Sequence, residues 1–180
     1  RFGSRLSFRI LLNTQTIQGA HMPSNKTSNA TAAVDAVELL TKQHREVEDL
    51  FEQFEKLTDR AKASKKKIAD QICNALIMHT TIEEEILYPA VREALKDGDD
   101  MVDEAVVEHA SAKDLIAQIQ EMDPDDELYD AKVKVLSEMI EHHVEEEEKE
   151  MFPKTRKLKL DMEALGQEMK ARQEEIEASQ

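Results

Sequence analysis

The stretch His79-Thr-Thr-Ile-Glu83-Glu-Glu-Ile-Leu-Tyr88-Pro89 returns further along as His143-Val-Glu-Glu-Glu147-Glu-Lys-Glu-Met-Phe152-Pro153. Each copy sets a glutamate four residues after a histidine and closes on an aromatic residue and a proline. Residues four apart share one helix face, about 6 Å apart along the axis. Each copy can therefore aim one imidazole and one carboxylate at the same point. A second pair of stretches, His44-Arg-Glu-Val-Glu-Asp49-Leu50 and His109-Ala-Ser-Ala-Lys-Asp114-Leu115, supplies two more histidines at nearly the same offset. The chain is one helical hairpin written twice. Four histidines and two glutamates at equivalent positions form a metal-site inventory.

The composition agrees with that pattern. A chain of 180 residues with four glycines and four prolines is long enough for one domain with a real core. Its abundant Glu, Lys, Ala, Leu and Met favour helix, because unbranched side chains lose little rotamer freedom there. A net charge of −15 argues against nucleic-acid backbones and anionic membrane surfaces as partners. The apolar runs are too short to span a bilayer. Cys73 stands alone, which excludes an internal disulfide and a cysteine-based zinc or iron–sulfur site and suits a reducing cytoplasm. Residues 1–34 hold Arg1, Arg5, Arg9 and Lys26 but no acid. They read as a disordered leader: a cloning-derived arm with Met22 as the natural start, or an Arg/Ser-rich transit peptide.

Four long amphipathic helices are expected. The first runs from about Asp35 to Thr58, with Val37, Leu40, His44, Val47, Phe51 and Phe54 on one stripe. The second runs from about Ser64 to Tyr88, with His79 and Glu83 inward. Pro89 should break or kink it, having no amide hydrogen and clashing with the preceding turn. A short helical continuation should end at Lys96, before Asp97-Gly98. The third runs from about Met101 to Met122, with Val102, Val106, His109, Ile116 and Ile119 inward. The fourth runs from about Asp126 to Phe152, with Leu128, Val135 or Leu136, Ile140, His143 and Glu147 inward. Short connections make successive helices antiparallel neighbours. The expected fold is all-α: an up-down-up-down four-helix bundle over residues 35–153, then a C-terminal amphipathic helix within 154–180 carrying Met162, Leu165, Met169 and Ile176.

A histidine on an apolar stripe is ordinarily a satisfied core residue. A glutamate there is harder to dismiss, since burying an unpaired carboxylate costs several kcal/mol, about as much as a small domain's whole margin. Both repeats place one glutamate a turn from an inward histidine, and a cation gives imidazole and carboxylate a reason to meet in a core. Nitrogen and oxygen donors without thiolate suit Fe, Mn or Zn. Six donors are too many for one tetrahedral zinc and fit two ions about 3.5–4 Å apart with bridging carboxylates.

The doubled His-x3-Glu-Glu-x-x-apolar-aromatic-Pro pattern resembles the hemerythrin-like, HHE cation-binding family, over about residues 36–153. The resemblance implies an oxo- or hydroxo-bridged pair of iron ions, with zinc or manganese as substitutes. His44 and His79 would hold one iron, His109 and His143 the other, with Glu83 and Glu147 bridging. It implies non-haem di-iron chemistry: binding, sensing or redox handling of dioxygen, nitric oxide or peroxide. Iron storage or donation, and peroxide- or nitric-oxide-consuming turnover, stay open alongside it. A sensing role would need a protein partner, which the sequence does not identify. The oxygen carriers of the family have a further histidine one turn after the His109 position, where this chain has Lys113. A protonated lysine cannot ligate, so that iron should gain a solvent position unless Glu84 or Glu148 moves in.

Other residues read more plainly. His142 lacks a counterpart in the first repeat, where position 78 is methionine, and is expected at the surface or beside a ligand. Tyr88 and Phe152 are expected to pack at helix ends, and Cys73 to be a small buried hydrophobe. The basic run Lys154–Lys159 is expected to balance a helix C-terminus.

Overall fold

A computed structural model describes residues 34–95 and 100–179. The leader and the expected stop at Lys96–Asp97–Gly98 lie outside the described residues. The described chain is helical throughout: α1 (Ala36–Glu55), α2 (Lys62–Ile82), α3 (Tyr88–Leu95), α4 (Asp100–Glu121), α5 (Tyr129–Glu146), α6 (Phe152–Thr155) and α7 (Met162–Ala178). Two five-residue π-helical turns, Glu83–Leu87 and Glu147–Met151, join α2 to α3 and α5 to α6.

Local chemistry sets several boundaries. The Asp35 carboxylate accepts the Glu38 amide hydrogen at 3.1 Å, and Asp161 accepts that of Ala164 at 3.0 Å. Both satisfy amides that a helix start leaves without partners. The stripe of α1 is buried as its spacing predicts. The fourth long helix differs from expectation. It starts at Tyr129 rather than Asp126, and the buried place goes to Tyr129 while Leu128 is 58% exposed. The Asp123–Asp126 turn takes up the preceding residues, so the helix starts later, and the stripe of Leu136, Ile140 and His143 runs back to Tyr129 rather than Leu128. Val135 and Val106 also face outward.

Apolar side chains gather in two clusters. In one, Phe51 and Phe54 at the end of α1 join Ala69 and Ile72 near the start of α2; Ile116 and Ile119 of α4 join Tyr129 and Val133 of α5. In the other, Ala36 and Leu40 at the start of α1 join Ile82 and Leu87, and Val102 of α4 joins Met151 and Phe152. Starts therefore meet ends within each hairpin, and the helices run antiparallel. Each fully buried Leu or Ile stabilises by about 1.5–3 kcal/mol, so both ends of the bundle are firmly held. Helix α7 packs on α1 and α2. Met169 is wholly buried there, Arg172 grips both oxygens of Glu85, and Arg156 grips both oxygens of Asp35. Arg156 thus ties the end of α6 to the start of α1, while Lys154 stands in the last turn of α6 as the basic run was expected to. None of the described helices is long and apolar enough to cross a membrane.

Pro89 and Pro153 do not end their helices; each follows a π turn. The Tyr88 amide bonds to the Glu83 carbonyl and the Phe152 amide to the Glu147 carbonyl, five residues back. In an α-helix a residue five positions on lies about 140° around the axis. The wider turn brings it back towards the face of the glutamate. Both the glutamate and the aromatic residue then point into the bundle.

Candidate metal centre

Between the two apolar clusters lies a polar layer of six buried side chains: His44, His79, Glu83, His109, His143 and Glu147. All six sequence-derived candidates are therefore brought together. The histidines form two pairs. His44 and His79 face each other through Nε2 at 3.2 Å, and His109 and His143 at 3.0 Å, with ring planes at 63° and 62°. The near-identity of the two pairs is the sequence duplication expressed as approximate twofold symmetry.

Each carboxylate reaches both pairs. Glu83 Oε2 lies 3.2 Å from His79 Nε2 and 3.5 Å from His109 Nε2. Glu147 Oε2 lies 3.3 Å from His44 Nε2 and 3.6 Å from His143 Nε2. The helix spacing explains one contact of each glutamate; the other crosses the bundle.

The outer nitrogens are also held. His44 Nδ1 donates to Glu148 at 2.9 Å, His79 Nδ1 to Gln43 at 2.8 Å, His109 Nδ1 to Glu84 at 2.9 Å and His143 Nδ1 to Glu108 at 2.8 Å. Ionised carboxylates and the Gln43 carbonyl oxygen only accept, so the proton sits on Nδ1 and the Nε2 lone pair points inward. These supports obey the repeat as well. Gln43 and Glu108 precede the first histidine of each hairpin, and Glu84 and Glu148 follow each inner glutamate. Gln43 and Glu108 had escaped the sequence reading; their signal was this shared register. Glu84 and Glu148 support ring nitrogens rather than entering the layer. Lys113 stays out of it too, binding both oxygens of Glu84 at 2.7 Å.

The aromatic residues complete the layer. Tyr88 stacks on His109 and donates its hydroxyl to Glu147 Oε1 at 3.0 Å; Phe152 stacks on His44. Neither merely fills a helix end, and the π turns explain why.

The charges are out of balance without a cation. Neutral imidazoles place two lone pairs 3.0–3.2 Å apart in each pair, and both oxygens of Glu83 and Oε2 of Glu147 lack hydrogen-bond partners. Burial lowers the histidine values, putting His109 at about 4 and His79 well below its ordinary range. Burial, then the nearby Glu147 charge, pushes Glu83 well above the usual carboxyl range. Burial also opposes ionisation of Glu147, but His143 and His44 overcome it and hold its value low. For His143, Glu147 and Glu108 outweigh burial and raise it. Orphaned oxygens beside inward lone pairs are what a bound cation relieves. Within this layer, two groups have donor atoms close enough to hold one: His44, His79, Glu83 and Glu147, and Glu83, His109 and His143.

The family model of the hemerythrin HHE cation-binding domain matches residues 35–155. The chain belongs to that family. A solved HHE cation-binding domain-containing protein from Mycobacterium kansasii is 25% identical to it, with a TM-score of 0.69 over 81% of this chain and 89% of that one. A curated relative from Nostoc, a DNA nickase, is 30% identical over 115 residues, which is 64% of this chain and 32% of the relative. The chain thus spans about a third of that relative's length. This HHE domain carries the histidine and glutamate groups needed for a cation centre in the polar layer of its bundle.

Proposed function

We propose that this HHE domain holds two iron ions and binds or reacts with dioxygen, nitric oxide or peroxide in a sensing or redox role. The double reach of Glu83 and Glu147 carries the reading: each touches one histidine of either pair, dividing six donors into two linked sets. His44 and His79 would hold one ion and His109 and His143 the other, with Glu83 and Glu147 as the carboxylates within reach of both pairs. Iron in such a nitrogen and oxygen donor set supplies reversible electron transfer and positions for a small ligand. The chain's own residues prepare the place. Glu84, Glu108, Glu148 and Gln43 fix the rings and strengthen them as donors. The apolar clusters exclude bulk water, and the Tyr88 hydroxyl, kept protonated by burial, donates to Glu147. The use of a single cysteine, the buried Cys73, favours a reducing, cytoplasmic setting.

Iron loading without oxygen, followed by metal analysis and optical spectra before and after air exposure, tests the reading. About two irons per chain and a new near-ultraviolet band in air are expected. One tightly held zinc, unmoved by iron supplementation, would refute it.

Metal affinity is expected to rise with pH. Without metal, Glu83 and His143 have raised values, so they keep protons to higher pH than in the unfolded chain. Their contribution to the metal-free fold is present at low pH and lost as pH rises through those raised values. A cation must displace both protons. The melting-temperature gain on iron loading should therefore be larger at about pH 7.5 than at about pH 5.5. An equal gain at both would show that these groups do not ligate.

A further inference from the structure

The two halves of the bundle match closely at the core but differ at their outer faces. In the first hairpin Gln43 supports His79, and its amide nitrogen donates to Gln173 of α7 at 3.1 Å. The same nitrogen lies 3.8 Å from Met78 Sδ, and Ile82, one turn on from Met78, is fully buried. At the equivalent positions the second hairpin has Glu108, His142 and Glu146. All three repeat partners of an apolar or neutral residue are thus metal-binding types. His142 Nε2 lies 3.3 Å from Glu146 Oε1 and 3.7 Å from Glu108 Oε1, and His142 is largely exposed. The donor atoms of the three residues are close enough to share one cation.

This outer cluster adjoins a way inward. A cavity of about 50 Å³ between α4 and α5 is flanked by Glu104, Glu108, Glu146 and Glu150, and the buried His143 and Glu147 also line it. Glu147, 1% exposed, has an Oε2 with no hydrogen-bond partner. Glu108 joins the two levels: its Oε2 accepts from His143 Nδ1 while its Oε1 faces His142. An i,i+4 histidine–glutamate pair on a helix surface is ordinarily solvated and inert. Here it adjoins a cavity flanked by four carboxylates and bordered by the buried Glu147, whose Oε2 has no hydrogen-bond partner.

We propose that Glu108, His142 and Glu146 form a transit site for a divalent cation, and that the α4–α5 cleft is the route by which the core is loaded. The proposal rests on the core centre argued above. A cation captured by His142 and Glu146 passes Glu108 and reaches Glu147 along the carboxylate side of the cavity, whose other wall is Ala105 and Met151 of the second apolar cluster. The acidic walls concentrate cations at the mouth. In the first hairpin α7 packs against α1 and α2 instead, and its Gln173 accepts from Gln43.

The test compares metal-free parent with a double variant, His142→Met with Glu146→Gln, which restores neutral residues at those positions. Both residues are at least partly exposed, so the fold should survive, and the melting temperature of the metal-free variant checks it. Cobalt(II) uptake is followed by its visible absorption after rapid mixing at sub-saturating metal. Loading is expected to slow about tenfold or more, with the final stoichiometry unchanged. Glu145→Gln, equal in net charge change but outside the cleft, should load like the parent. Equal rates in parent and double variant overturn the route, and so does equal slowing in Glu145→Gln. A loss of final stoichiometry in the double variant also overturns it, because these residues would then be permanent ligands. A parent that takes up no cobalt at all refutes the core centre itself, and the transit site with it.

Discussion

Glu83→Gln is expected to abolish most metal binding while leaving the metal-free fold as stable as the parent or more so. The variant keeps the shape of the side chain and removes one shared donor from both histidine pairs. Metal content should fall to about half that of the parent or less. Stabilisation by metal should fall with it; a ligand at a hundred times its dissociation constant contributes about 2.7 kcal/mol. Without metal the sign reverses. The Glu83 carboxyl is raised by burial and by Glu147, so its stabilising contribution is present at low pH and lost as pH rises through the raised value. At neutral pH an amide avoids that loss. Glu147→Gln should remove metal equally but also weaken the metal-free fold, by about 1–3 kcal/mol. Its charge is held by His143 and His44, and its Oε1 accepts from Tyr88, so its partners would be left in want. The exposed Glu145→Gln is the control and should bind metal as the parent does. Equal metal content in all three variants would remove the glutamates from the centre. Metal analysis and paired melts with and without chelator decide it.

Gly166→Ala should destabilise the protein, although glycine to alanine in a helix ordinarily stabilises by about 1 kcal/mol. Gly166 lies in α7 against the entry to α1. A methyl group there would collide with the Val34 carbonyl oxygen and sit 2.8 Å from the Ala36 nitrogen, both backbone atoms with nowhere to yield. Helix α7 must lift, loosening Met169 and the Arg172–Glu85 fork. Overpacking of this kind costs about 1–3 kcal/mol or more, several degrees of melting temperature in a domain of this size. Limited proteolysis should release the C-terminal segment sooner than in the parent. A raised melting temperature would show that α7 does not dock closely on α1.

Much of this was legible in the residues themselves. Histidine and glutamate four apart on an apolar stripe declare a shared helix face, because a carboxylate is not placed in a core without a partner. The duplication then turns one such face into two. Helix periodicity is a local property, fixed within a few residues by backbone geometry, and that is why the six inward donors and the antiparallel bundle followed from spacing alone. Spacing did less well at a helix start, where a turn takes up residues that a longer helix would have placed on its stripe. Leu128 lost its inward place to Tyr129 for that reason, and the prolines read as breaks where π turns carry the helix through.

The remainder belonged to contacts between helices. Nothing in the spacing of one hairpin says that Glu83 reaches His109 of the other, or that Glu147 reaches His44. That depends on the register in which four helices pack, set by the apolar clusters on either side of the polar layer. The same holds for the supports. Glu84 and Glu108 look like surface acids until the bundle closes and sets each against a ring nitrogen. The difference between the halves is tertiary as well. Gln43 is tied to Gln173 of α7, whereas its counterpart Glu108 borders, with Glu146, a cleft flanked by carboxylates, and the exposed His142 lies beside them. Sequence alone determined which side chains face inward, because that is a property of each helix. Only packing decided which of them meet and which face stays open, because a distance between helices is a property of the whole fold.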